Sequence, residues 1–172
     1  MLGGMPMENK DSKRAFNEMY MIALKRLENR SLEEIAKNAD YLDLADGTPL
    51  YHQAVHFGEL KDGLIRGSRF DKTVEREFAS FLSDKKDEDI INLCKSLDGE
   101  IIKSKFDLSV VFYLFPNYPV TLNIWFADDE FGAVGNMLVD KSADNYLTIE
   151  DDVVAGEFML RYIFERYNEL YM

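Results

Sequence analysis

The chain has 172 residues, enough for one domain with a core of its own. Apolar residues make up 47% and charged residues 30%, which excludes a disordered acidic tail and an integral membrane protein. The 32 acidic and 20 basic residues leave a formal charge of −12, which argues against nucleic-acid binding because phosphates would be repelled. The single cysteine, Cys94, excludes a disulfide framework, a Cys-based zinc finger and a cysteine-held iron–sulfur cluster.

Residues 1–10 are expected to be a disordered leader, and residues 11–172 a single domain. Charged residues precede any apolar run in the leader, so it does not have the pattern of a secretory signal. The longest apolar stretch elsewhere, Val110 to Phe115, is far shorter than the roughly 20 residues that span a bilayer. We therefore expect a cytoplasmic protein without membrane contact, in which the cysteine is reduced.

Two helices are predicted near the N-terminus. Apolar residues recur at intervals of three and four in residues 10–29, which is typical of an amphipathic helix. Ser31 to Glu34 has the capping-box pattern and predicts a short second helix that runs to about Asn38.

The middle of the chain has a weaker pattern before the helical one returns. Between Leu50 and Phe70, short strands and irregular structure both fit. Helical spacing then covers Val74 to Leu82 and Ile90 to Leu97, and Gly99 is the expected stop. Cys94 lies on the second apolar stripe, which favours a core residue over a reactive thiol.

Strand alternation is clearest from Phe106 to Phe115 and resumes from Val120 to Phe126. The tight connection Pro116–Pro119 between them indicates a β-hairpin, and Val134 to Val139 is the expected third strand of an antiparallel meander. The sequence thus predicts an α+β fold, a small antiparallel sheet packed against several helices.

A long helix is predicted from about Ile149 to the C-terminus, opened by a capping box of Thr148 and Asp151. It carries more apolar residues than one stripe needs. Either other elements nearly surround the helix, or it presents a second apolar face to a homodimer or protein partner. The candidate interface residues are Phe158, Tyr162, Phe164 and Tyr171.

Acidic residues concentrate in the C-terminal quarter. Residues 128–172 contain eleven acids and three bases, a net charge of −8, against −4 for the preceding residues. Convergent carboxylates could hold Mg²⁺ or Ca²⁺, or divide acid and base roles, although acids at strand ends and helix starts also serve solubility and the helix dipole. The candidate ligand-binding residues are Trp125, Asp128, Glu130, Asp140, Tyr146, Glu150 and Asp151, and Asp128, Glu130 and Asp140 are the candidate metal ligands.

The two histidines, His52 and His56, are spaced i, i+4. On a helix they could share a zinc ion, whereas on a strand they would lie about 13 Å apart. The surrounding residues favour extended structure. Templates for phosphate loops, dinucleotide-binding turns and nucleophile elbows are not found in the sequence.

Several motifs resemble the uncharacterised prokaryotic family known as domain of unknown function 3786, over about residues 45–172. The family pattern W-x-x-D-x-E-F, L-F-D and Y-L-x-x-E-D is similar to Trp125–Phe131, Leu138–Asp140 and Tyr146–Asp151, although Val139 stands where relatives often have phenylalanine. Upstream, Asp46–Pro49 and Phe57–Leu60 resemble a G-T-P and an F-x-E-L segment.

The resemblance implies no established activity and no catalytic residues. Some relatives are fused to a cysteine-ligated iron–sulfur domain of the kind found in corrinoid proteins, but with one cysteine no such cluster is expected here. Two hypotheses follow. The favoured one is a non-catalytic binding or interaction module. The alternative is a small enzyme or ligand-binding protein with a carboxylate-lined pocket, in anaerobic or corrinoid-linked metabolism.

Overall fold

Five antiparallel strands form one sheet in a computed structural model that describes residues 49–115 and 117–172. The strands are β1 (Ala54–Val55), β2 (Glu100–Ile101), β3 (Leu108–Phe115), β4 (Tyr118–Trp125) and β5 (Val134–Asp140), in the order β1-β5-β4-β3-β2. The helices of the described part are α1 (Gly63–Leu82), α2 (Asp87–Ser96) and α3 (Ile149–Tyr171), and short 3-10 turns span Phe57–Glu59 and Lys141–Asn145. The predicted α+β class is confirmed.

The β3–β4–β5 meander is the centre of the core, as predicted. Val110 pairs with Leu122, and Leu122 pairs with Met137, so one row of apolar side chains crosses three strands on the helix-covered face. All three are at most 2% exposed. Alternate residues point to the other face, where Tyr113 and Trp125 remain exposed. The hairpin connection is shorter than predicted, because Tyr118 already belongs to β4.

Helix α3 has the predicted start and apolar stripe. Thr148 Oγ1 accepts the Asp151 N–H and the Asp151 carboxylate accepts the Thr148 N–H, which completes the capping box. The buried stripe consists of Val153, Gly156, Met159, Leu160, Ile163 and Tyr167. Gly156 lets the helix approach closely, since a Cβ there would lie 2.5 Å from the Phe70 ring.

Helix α1 begins at Gly63, within the region in which the sequence indicated short strands or irregular structure. The usual signal is reversed in its first turns, where Leu64 and Ile65 are exposed and Gly63 and Gly67 are buried. These glycines bring the helix backbone against the Phe57 carbonyl group. Small residues on the buried face give no apolar periodicity, so the pattern concealed this half of the helix.

Helix α2 carries Cys94 in the core, as predicted, but its end is built differently. The residue in the left-handed region is Asp98, with φ 56°, rather than Gly99. The Gly99 N–H donates to the Cys94 carbonyl at 3.0 Å. A Cβ on Gly99 would meet the Val110 and Phe112 side chains, so this glycine is required for space rather than for its φ.

Within the described residues, no helix is long and apolar enough to cross a membrane. The predicted leader, the helix over residues 10–29 and the short helix that follows it lie outside the described residues.

Gly67→Ala should lower the free energy of unfolding by about 3 kcal/mol or more. The added Cβ would lie 2.2 Å from the Phe57 carbonyl oxygen, and backbone cannot move aside as a side chain can. Denaturant unfolding measures the difference. Gly132→Ala is the control, because its Cβ meets nothing within 4 Å. Equal stability of the two variants would show that α1 does not pack on Phe57 as described.

Candidate functional site

The predicted site residues lie at two opposite ends of the β4–β5 pair. Trp125 pairs with Val134 at one end, and Val120 pairs with Val139 at the other. The two pairs are five residue steps apart along β4, roughly 17 Å at about 3.3 Å per residue. The candidate metal ligands Asp128 and Glu130 follow the first end, whereas Asp140 lies at the second. The structure therefore does not bring these three carboxylates together at one ion.

Asp128 closes its own loop at the Trp125 end. Its Oδ1 accepts the N–H groups of Glu130 at 2.8 Å and Phe131 at 2.7 Å, and its own N–H donates to the Phe131 carbonyl. Backbone N–H bonds from Phe131 and Glu130 lower the pKa of Asp128. Trp125 is 42% exposed and rests against the Phe106 ring, 4.3 Å between centroids. This end is a self-contained turn beside an exposed aromatic pair.

Asp140, at the other end, is a buried acceptor for three backbone N–H groups. They belong to Tyr51, Gln53 and Ser142, at 2.9 to 3.0 Å. Burial by itself would raise the pKa of Asp140, but hydrogen bonds from Ser142, Tyr51 and Gln53 outweigh it and lower the pKa. The carboxylate thus fastens the chain before β1 to the end of β5.

Two other carboxylates accept backbone N–H groups from the residues that follow β1. Asp71 of α1 accepts the N–H groups of Phe57 at 3.1 Å and Gly58 at 2.9 Å. Asp144 accepts the Lys61 N–H at 2.8 Å. Together with Asp140, these side chains hold the backbone of residues 51–61 where β1 is too short to do so.

A buried polar cluster that the sequence did not reveal lies beneath the start of α3. The Tyr118 hydroxyl donates to Asp152 Oδ1 at 2.8 Å, and each residue is 1% exposed. The Tyr146 hydroxyl donates to the Asn117 carbonyl at 2.8 Å. Burial raises the pKa of Asp152 to about 6 and that of Tyr146 to about 12. The sequence did offer one signal of this cluster: Asp152 directly precedes Val153 and lies on the buried side of α3.

The remaining predicted residues have structural partners. Glu150 receives a hydrogen bond from Arg66 at 3.2 Å, and Asp151 belongs to the capping box. His52 and His56 flank strand β1 rather than sharing a helix, so the spacing needed for a shared zinc ion is not formed. Among the described residues, no group of three or more His, Cys, Asp and Glu side chains could hold a metal ion.

The four candidate interface residues of α3 differ in their surroundings. Phe164 is stacked on Phe81, 4.2 Å between centroids, so it packs within the fold. Tyr171 leans on Tyr167, 4.8 Å between centroids. Phe158 is 54% exposed and Tyr162 is 48% exposed, with their rings nearly parallel at 15°. Val154, one turn earlier and 50% exposed, continues this line, and we call Val154, Phe158 and Tyr162 the outer row.

A family model described as Domain of unknown function (DUF3786) matches residues 14–162. The chain belongs to this family. The match starts well before residue 45, where the sequence motifs began, so the family extends further toward the N-terminus than the motifs indicated. Comparisons with curated proteins and with solved structures find no match.

Several residues of the motifs that resemble the DUF3786 family pattern pack in the core or accept backbone hydrogen bonds. Phe57 is completely buried, and Glu59 caps the 3-10 turn Phe57–Glu59 by accepting the His56 N–H at 2.9 Å. Asp140 fastens residues 51–53, and Asp151 caps α3. Burial therefore accounts for Phe57, and backbone hydrogen bonding accounts for Glu59, Asp140 and Asp151.

Cys94 should not react with a water-soluble disulfide reagent in the native protein at about pH 8, because burial raises its pKa to about 12 and leaves the side chain 1% exposed. In denaturant one thiol per chain should react at once, as measured by released chromophore. Rapid release of one equivalent from the native protein would contradict the burial of this thiol.

Asp140→Asn should lower the free energy of unfolding at neutral pH by about 2 kcal/mol, because an amide cannot accept all three N–H bonds. The folded pKa of Asp140 is lowered, so its stabilisation is present above about pH 4 and is lost as the pH falls through the folded pKa. The difference between wild type and variant should therefore shrink in acid. Denaturant unfolding at several pH values measures it.

Asp128→Asn is the matched control for this substitution. Asp128 also accepts two backbone N–H groups, but in an exposed turn, so the change in stability should be much smaller. Two results would contradict the proposed role of the buried carboxylate. One is a loss of stability in Asp128→Asn as large as that in Asp140→Asn, and the other is a loss in Asp140→Asn that does not diminish in acid.

Proposed function

We propose that the protein is a non-catalytic interaction module that docks a cationic amphipathic helix of a partner protein on the outer row of α3. The observation that carries the proposal is the exposure of Val154, Phe158 and Tyr162 on a helix whose core-facing stripe is already complete. Fully burying side chains of this kind is worth about 1.5–3 kcal/mol each, and about half of that free energy remains for a partner because the three side chains are 48–54% exposed.

The geometry of the outer row favours a helical partner. Its members are spaced by four residues, so at 1.5 Å per residue they form a nearly straight apolar line about 12 Å long. A line of this kind packs between the side chains of a second helix in the way that helix-in-groove and helix-pair interfaces do. The stacked Phe158 and Tyr162 rings would be the central anchors, since aromatic residues dominate the energetics of such interfaces.

The charge of α3 favours a cationic partner. The helix carries six acids (Glu150, Asp151, Asp152, Glu157, Glu165 and Glu169) and two bases (Arg161 and Arg166), a net charge of −4. At 100° per residue, Asp151, Glu165 and Glu169 fall within the arc of the outer row. Lysines or arginines beside the partner's apolar stripe would be attracted there, and acidic segments would be repelled.

A carboxylate-lined site is less well supported than docking. Its candidate residues are divided between the two ends of the β4–β5 pair, and Asp128, Asp140 and Asp151 are occupied by backbone N–H groups. Cys94, the only thiol, is buried. These contacts favour interaction over catalysis.

The test uses a peptide of about 18 residues with leucines on one helical face and lysines on the other. It should bind the protein, and Phe158→Ser with Tyr162→Ser should weaken binding roughly thirtyfold or more, because both anchors are lost. Titration calorimetry measures the affinity. Binding should also weaken as salt increases, since exposed charges are screened.

The control variant is Tyr113→Ser, which removes an equally exposed aromatic ring from the outward face of β3 and should leave binding unchanged. A peptide with glutamates in place of lysines should not bind. The proposal fails if the lysine peptide does not bind, if both variants reduce binding alike, or if the outer row instead mediates self-association that Phe158→Ser and Tyr162→Ser abolish.

A further inference from the structure

Asp152 is a buried acid at the point where α3 is attached to the sheet. It lies in the first turns of the helix, is 1% exposed, and receives a 2.8 Å hydrogen bond from the Tyr118 hydroxyl at the start of β4. Tyr118 is equally buried. This contact therefore joins the beginning of α3 to the central strand of the sheet through one carboxyl group.

Within residues 49–115 and 117–172, the groups that face Asp152 do not neutralise its charge. From β4 it meets Tyr118, and the segment after β5 contributes Tyr146 and the carboxylate of Asp144. On α3 itself the adjacent charge is Asp151. Among the described cations, Arg66 of α1 pairs with Glu150 and Glu157, and Lys141 pairs with Asp144.

The two protonation states of Asp152 therefore differ in what they require. The neutral acid can stay buried while it accepts the Tyr118 hydrogen bond. The ionised form places an uncompensated charge in the interior, which is unfavourable unless water reaches it. Water can reach it only if the first turns of α3 move away from β4.

We propose that the Tyr118–Asp152 contact is a proton-controlled anchor: protonated Asp152 holds the first two turns of α3 on the sheet, and ionised Asp152 promotes their local opening. This regulatory role rests on a different observation from the docking proposal, which concerns the opposite face of the helix. It would nevertheless affect Val154, which lies within those turns.

The direction of the pH response follows from the electrostatics. Burial raises the pKa of Asp152 to about 6, with further increases from Asp144 and Asp151, while the Tyr118 hydrogen bond opposes them. Because the folded pKa is raised, the stability from this group is complete below about pH 4, the pKa of the unfolded chain, and is lost as the pH rises through about 6.

Hydrogen exchange of the amides of residues 150–156, corrected for the intrinsic pH dependence of exchange, tests the proposal. In the wild type, the opening equilibrium of these amides should increase roughly tenfold between about pH 5 and about pH 8. In Asp152→Asn, which cannot ionise, it should stay constant. Glu165→Gln, which neutralises an exposed carboxylate farther along α3, is the matched control and should keep the wild-type pH response.

A second measurement keeps the proposal testable if Asp152→Asn does not fold. The Asp152 carboxyl carbon, followed by NMR, should titrate near pH 6 and should titrate at higher pH in Tyr118→Phe, because the opposing hydrogen bond is removed. Titration near the ordinary value of about 4 would overturn the proposal. A pH response shared by Asp152→Asn, or spread evenly over β3 and β4, would also overturn it.

Discussion

The backbone N–H groups of residues 51–61 must find acceptors, and this need determines how the chain joins the sheet. Strand β1 has only two residues, so ladder hydrogen bonds cannot satisfy the segment. Side-chain carboxylates from three other elements take their place: Asp140 at the end of β5, Asp71 on α1 and Asp144 in the turn after β5. Hydrogen bonds from backbone N–H groups to a carboxylate are stronger than those between neutral groups, so one side chain can hold several residues in one geometry.

The same constraint explains why the candidate acids Asp128 and Asp140 do not converge. An isolated carboxylate at a strand end resembles a ligand or a general base in the sequence. In the folded chain its lone pairs are directed at backbone donors, as for Asp128 in its turn and Asp140 beside β1. Antiparallel pairing of β4 and β5 separates these two residues, because each follows the opposite end of the ladder.

Helix α3 has two apolar faces, one buried and one exposed, whose residues alternate along the sequence. One stripe, from Val153 to Tyr167, completes the core, and Phe164 extends it by stacking on Phe81. The outer row uses the same kinds of residue on the opposite side, where they face solvent. Asp152 attaches the buried face of α3 to the sheet, and Val154, two residues later, begins the exposed outer row. The attachment of α3 and its exposed surface therefore lie within one helical turn.

Local patterns alone determined the meander, the long last helix and its capping box, because alternation over β3 and β4 and the stripe of α3 are uninterrupted and depend on neighbouring residues only. The first half of α1 was not predicted, because its buried face contains Gly63 and Gly67 instead of large apolar residues. Both positions must be small because the Phe57 carbonyl group packs against them, and the linear sequence does not show that contact. The sequence identified the candidate acids but not their structural roles, because the register of the strands decides which carboxylates lie close together. Only the tertiary structure placed Asp152 against Tyr118, 34 residues away. It also left Phe158 and Tyr162 half exposed while Phe164 stacks on Phe81. Burial and long-range hydrogen bonds depend on how elements pack, and periodicity carries no information about that.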